Sequence, residues 1–93
     1  MELPVDYTAI SSYKRRKVRE EYVRIQEGKC QHCKALLSGP PAKVVSNLPI
    51  RTGLFPVGFF TYPVHLHHNH STGMTIGAVH NYCNAVLWQY HGE

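Results

Sequence analysis

The 93-residue sequence predicts a small α+β domain in which a basic N-terminal helix precedes a metal-stapled hairpin-and-helix unit. Three observations carry this prediction. Val18, Tyr22 and Ile25 recur at helical spacing within a run of Lys and Arg. Two pairs of ligand-type residues share one spacing, Cys30-x2-Cys33 and His80-x2-Cys83. Near the C-terminus, "VHLHH", "NHSTG" and "MTIGAV" read as strand, turn and strand, and "NYCNAVLWQYH" reads as a helix. The 43% hydrophobic and 17% charged residues describe a folded chain, and one so short gains from a staple beyond its apolar core.

Residues 1–10 form an extended lead-in. "MELPVDYTAI" lacks the charged start and long apolar region of a secretory signal, and no run reaches the ~20 apolar residues that span a bilayer. The expectation is a soluble, cytoplasmic protein with no membrane partner. Ser11 or Ser12 suits an N-cap, the helix runs over 11–26, and Gly28 stops it. "KCQHCK" lies in a knuckle over 27–34. Residues 35–63 hold five of the six prolines and are the least regular part. "KVVSN" and "VGFFTY" suit short strands there, confined by the prolines to edges or turns. So long an irregular segment also suits a partner-binding loop. Phe55, Phe59, Phe60 and Tyr62 are read as packing residues. Residues 64–91 form the hairpin and final helix, with Ala85, Leu87 and Trp88 suited to packing. His32 is expected to be exposed and His91 incidental.

The net charge of +4 is unevenly spread: six of ten basic residues, Lys14, Arg15, Arg16, Lys17, Arg19 and Arg24, lie within residues 11–24. Such a run is either a solvated helix face or a phosphate-contacting one. Its density favours an anionic partner, nucleic acid before membrane, because Lys and Arg release counterions from a duplex.

Three cysteines cannot pair off, so a reduced compartment and a metal site fit better than disulfides. A lone CxxC is ambiguous between redox and metal roles, but the second pair resolves it. Cys30, Cys33, His80 and Cys83 make a Cys3His set, which tetrahedral Zn2+ accepts. Four protein ligands leave no open position, so this zinc is structural. It ties the knuckle after the basic helix to the start of the C-terminal helix.

His65, His67, His68 and His70 remain, crowded into six residues. Here the stretch "HLHHNHSTGMTIGAVHNYCNA" resembles the HNH, or ββα-metal (His-Me finger), endonucleases, and most the phage recombination endonuclease VII group. The resemblance covers about residues 26–90 and is specific in the hairpin-to-helix half. It implies that His67 and Asn84 ligate a catalytic divalent cation, that His68 is the general base, and that His70 contacts phosphate. It also makes Cys30, Cys33, His80 and Cys83 the zinc ligands. Two positions depart from the group's pattern. His67 stands where that group has aspartate, which moves metal preference from Mg2+ toward Mn2+ or Ni2+, and His80 replaces one zinc cysteine. His65 is read as packing.

Physical chemistry supports these roles. Imidazole, with an ordinary pKa near 6.5, accepts a proton at neutral pH, and a sparsely ligated divalent ion keeps positions open for phosphate oxygens. The function implied is a DNA endonuclease gripping its substrate through Lys14, Arg15, Arg16, Lys17 and Arg19. One small site cuts one strand, so a double-strand break takes a homodimer or two encounters. A phage origin, and with it the bacterial host cytoplasm, is implied only by the resemblance. The rival readings are a non-catalytic zinc DNA-binding module and a protein-interaction module acting through the Pro- and Phe-rich loop.

Overall fold

The computed structural model describes residues 1–92. It contains three α-helices, α1 (Ser12–Ile25), α2 (Lys43–Ser46) and α3 (Asn81–His91), and two antiparallel strands, β1 (Val64–His68) and β2 (Thr75–His80). The architecture is small α+β, in the order expected for the hairpin and final helix. No helix among the described residues is long and apolar enough to cross a membrane.

Ser11 caps α1, its side-chain oxygen accepting from the Lys14 N–H at 3.2 Å. The helix ends as Glu27 and Gly28 turn to φ values of 57° and 75°. Its buried face is Val18 and Tyr22, but Ile25 is 50% exposed, contrary to the expected stripe. Gln26 takes the next inward place instead. Its Nε2 donates to the carbonyls of Lys29 (2.8 Å) and Ala78 (3.0 Å), and its Oε1 accepts from the Ala78 N–H (2.9 Å). One carboxamide thus reaches both polar groups of a β2 residue on the side away from β1; the Ala78 carbonyl also accepts from the Gln31 N–H (3.0 Å), so it is the Ala78 N–H that an aliphatic chain would leave unpaired.

The N-terminal segment straps the far end of the same strand. Thr75 donates its N–H to the Val5 carbonyl (2.9 Å), and its Oγ1 accepts from the Val5 N–H (3.0 Å). Tyr7 N–H donates to the Gly73 carbonyl (2.8 Å). The hairpin turn is held by Asn69, whose Oδ1 accepts from the N–H groups of Ser71 (2.8 Å) and Thr72 (3.0 Å).

Two expected strands are absent. "KVVS" is a short helix, and among the described residues there is no third strand for its valines to pair with; Val45 is buried while Val44 stays 77% exposed. "VGFFTY" makes turns, with Phe59 N–H donating to Pro56 O and Thr61 N–H to Gly58 O, both at 3.0 Å. Pro56, Pro63 and the positive φ of Gly58 preclude an extended run. This irregular segment is anchored by side chains of α3. Asn81 Nδ2 donates to Tyr62 O (3.0 Å), and Gln89 Oε1 accepts from Arg51 N–H (2.8 Å).

The core joins Val18 and Tyr22 of α1, Leu66 of β1, Ala78 and Val79 of β2, and Val86 of α3, together with Cys30 and Cys83. Val18, Val79 and Val86 are essentially fully buried, each worth about 1.5–3 kcal/mol of transfer free energy. Ala85 and Leu87 are buried as expected, but Trp88 is 42% exposed. Nor does the core take in Phe55, Phe59, Phe60 or Tyr62.

Candidate metal centre and the adjoining histidine cavity

The ligand atoms of Cys30, Cys33, His80 and Cys83 all lie within 4.8 Å of one another. His80 Nδ1 is 3.5 Å from Cys33 Sγ and 3.6 Å from Cys83 Sγ. A tetrahedral zinc with ordinary Zn–S and Zn–N bonds separates such S and N ligands by about 3.6 Å, so the cluster could hold a zinc ion with little adjustment. His80 is prepared for that role. Its Nε2 meets the carbonyls of Leu36 (2.9 Å) and Gly39 (3.0 Å), which only accept, so Nε2 carries the proton. In the neutral ring Nδ1 then presents a lone pair to the three sulfurs. Backbone amides also face the sulfurs: Cys33 N–H donates to Cys30 Sγ and Ala42 N–H to Cys33 Sγ, both at 3.5 Å. The hydrogen bond between the Cys83 and Cys30 thiols holds the Cys30 pKa below its ordinary value and pushes that of Cys83 up. Among the described residues, no other group of three or more His, Cys, Asp or Glu side chains converges in this way.

β2 delivers His80 from the strand and α3 delivers Cys83 one turn later, while the knuckle supplies Cys30 and Cys33. The same junction positions Asn84, directly after Cys83. Asn84 faces a cavity of ≈ 380 Å³ whose walls also carry His65, His68, His70, Arg15 and Arg19. No acidic side chain is among the described residues that line it. Arg15 and Arg19, one helical turn apart on α1, face the histidines, whereas Lys14, Arg16 and Lys17 are exposed elsewhere on the helix. Lys17 is partly engaged with Glu20 at 3.7 Å.

Within the cavity Asn84 Nδ2 lies 3.1 Å from His65 Nδ1. The Phe59 backbone hydrogen-bonds the same imidazole, and the Phe59 ring meets it edge-on at 4.7 Å. Burial, with the nearby Arg19 charge, holds the His65 pKa below its ordinary value. His68 stacks flat on Tyr7, with ring centroids 3.9 Å apart and planes 4° apart, and meets the His70 ring at 4.9 Å. Arg15 reaches the same group, its Nε donating to the Tyr7 carbonyl (3.0 Å) and its guanidinium 3.9 Å from the Tyr7 ring centre. Burial first, then the charges of His70, His67 and Arg15, hold the His68 pKa below its ordinary value.

The cavity thus gathers four of the residues singled out in the hairpin and helix, but not as a simple face of a strand. His67 is buried, opposite Gly77 in the ladder, and is not among the residues lining the cavity. The ladder is irregular between His67 and His68: His67 pairs with Gly77 but His68 with Thr75, leaving Ile76 as the extra residue. The extra residue is on β2, the strand such an irregularity bends, and His65 and His68, three apart on β1, both line the one cavity. His65, read as packing from the sequence, instead contacts Asn84. Its position two residues before His67 was the only available signal. Tyr7 offered none, because only the strap along β2 brings it to His68. His32 is half-buried and His91 is exposed in the last turn of α3. Comparison of the chain with protein-family models, with curated proteins and with solved structures gives no match.

Proposed function

We propose that the protein is a metal-dependent DNA endonuclease of the HNH kind, hydrolysing phosphodiester bonds with His68 as general base. The observation that carries this reading is the cavity in which the His68 imidazole, two guanidinium groups and the Asn84 carboxamide meet, with no acidic side chain among the described residues that line it. Phosphodiester hydrolysis needs those elements. His68 takes a proton from water, and the oxygen so activated attacks phosphorus as the P–O bond to the leaving strand end breaks. Arg15 and Arg19 offset charge on the non-bridging oxygens, and His70, exposed at the rim, meets the flanking phosphate. A divalent ion, Mg2+, Mn2+ or Ni2+, would add Lewis-acid stabilisation of the phosphate and leaving oxygen. Its expected ligand pair fits only in part: Asn84 lines the cavity, while His67 is buried outside it. The Cys3His site serves as structural zinc, fixing the start of α3 and hence Asn84.

The burial of His67 favours a second reading, a non-catalytic zinc-containing DNA-binding module in which α1 and the cavity hold phosphate without cutting. Supercoiled plasmid separates the two. Zinc-loaded protein with Mg2+, Mn2+ or Ni2+ should convert it to nicked circles, and His68→Ala should not. Retained DNA binding with no nicking under any of these ions establishes the module instead.

A further inference from the structure

Beside the histidine cavity lies a second one, of ≈ 270 Å³, whose walls include Leu54, Phe55, Phe59 and Trp88. The two share Phe59, His70 and Asn84. Phe55 meets Phe59 at 4.8 Å with planes 35° apart and Trp88 at 5.6 Å with planes 66° apart. None of these rings belongs to the buried core, and Trp88 and Leu54 are 42% and 47% exposed. The rings pack on one another outside the core, and the cluster still leaves the faces of Trp88 and Leu54 open to solvent beside a cationic cavity.

We propose that this aromatic pocket receives one unstacked nucleobase of a nucleic acid whose backbone runs through the Arg15–Arg19 cavity. The inference rests on the nucleic-acid reading of that cavity and adds the class of substrate. The charge is complementary to a polyanion, since both arginines line the first cavity and no acidic residue among those described lines either one. The rings supply flat apolar faces for stacking, and His70 and Asn84 supply polar groups at the boundary for a base edge. A base inside an intact duplex is stacked on both sides and cannot enter. The preferred substrate therefore has an unpaired nucleotide next to the contacted phosphate, as in a single strand.

Trp88 is the only tryptophan, so its fluorescence reports on this pocket alone. The test titrates zinc-loaded protein, with no second divalent ion added, using oligodeoxythymidylate, a strand of equal length made of abasic nucleotides, and a blunt duplex. Oligodeoxythymidylate should quench Trp88 and bind about tenfold more tightly than the abasic strand, which should bind without quenching. The duplex should likewise bind without quenching. Phe55→Leu, which keeps the site apolar but removes a stacking face, should abolish most of the advantage of thymidylate over the abasic strand. Equal affinity for the two strands, or quenching independent of bases, overturns the pocket. So does a Phe55→Leu protein that keeps the full advantage, or a failure to bind any of the three. Plasmid nicking is read separately, so the pocket can fail while the endonuclease reading stands.

Discussion

Asn84 and His65 are joined across the hairpin-helix junction, Nδ2 to Nδ1 at 3.1 Å, while the backbone of Phe59 engages the same imidazole. An Asn amide that donates to a fixed acceptor has its Oδ1 oriented as well. His65 therefore positions the one atom of Asn84 that can accept a cation or a substrate hydroxyl. His65→Leu should lower kcat for nicking by about 10–100-fold with KM for DNA little changed. An unaltered kcat would show that the contact is only structural.

The metal centre makes the most direct prediction. Elemental analysis should find one zinc per chain, and a strong chelator should abolish the folded circular-dichroism signal, with recovery on adding Zn2+. Cys83→Ser, which removes a fully buried ligand, should not fold stably at ambient temperature. His80→Cys should still bind zinc but melt earlier, because it gives up the bonds to Leu36 O and Gly39 O. A folded, metal-free protein with an unchanged melting curve would remove zinc from the account.

Arg15 and Arg19 differ from the other basic residues in facing the cavity. Arg15→Ala should slow cleavage and reduce the salt dependence of DNA binding by about 0.9 in log–log slope per lost phosphate contact. Lys14→Ala and Arg16→Ala, at exposed positions, should weaken binding without altering the rate at saturating DNA. Identical effects from both pairs, measured in salt titrations and single-turnover cleavage, would contradict the two-faced helix.

Gly77 lies under the Gln26 carboxamide. A Cβ built there falls 2.8 Å from Gln26 Oε1 and 2.8 Å from Gln31 Cγ. Gly77→Ala should therefore cost about 1–3 kcal/mol in denaturant unfolding. Gln26→Ala should cost a similar amount by unpairing the Ala78 N–H, while the Ala78 carbonyl keeps the Gln31 N–H. The double substitution should cost less than the sum, since removing Gln26 relieves one of the collisions.

Much of this arrangement was legible in the residues themselves. The span of α1, the strand-turn-strand order and the last helix followed from spacing, caps and turn residues, which act over a few neighbours along the chain. The convergence of Cys30, Cys33, His80 and Cys83 into a cluster that could hold zinc was legible too, because zinc chemistry demands residue types and spacings that chance seldom supplies. In the middle third, local preference misled. "KVVS" has strand-forming residues, yet a strand needs a partner, and the sheet ends at two.

What the chain's one-dimensional pattern determined is which elements form and which side chains can bind a metal. Only the folded arrangement decided which histidines meet. The ladder is irregular beside His68, His67 is buried while His65 and His68 line the cavity, and the strap along β2 lays Tyr7 on His68 from far away in sequence. The physical reason is that side-chain direction on a strand depends on pairing register and twist, which are set by the partners packed against it. Those partners are Gln26, Val5 and the Cys30–Cys33 knuckle, and none is adjacent to the hairpin along the chain.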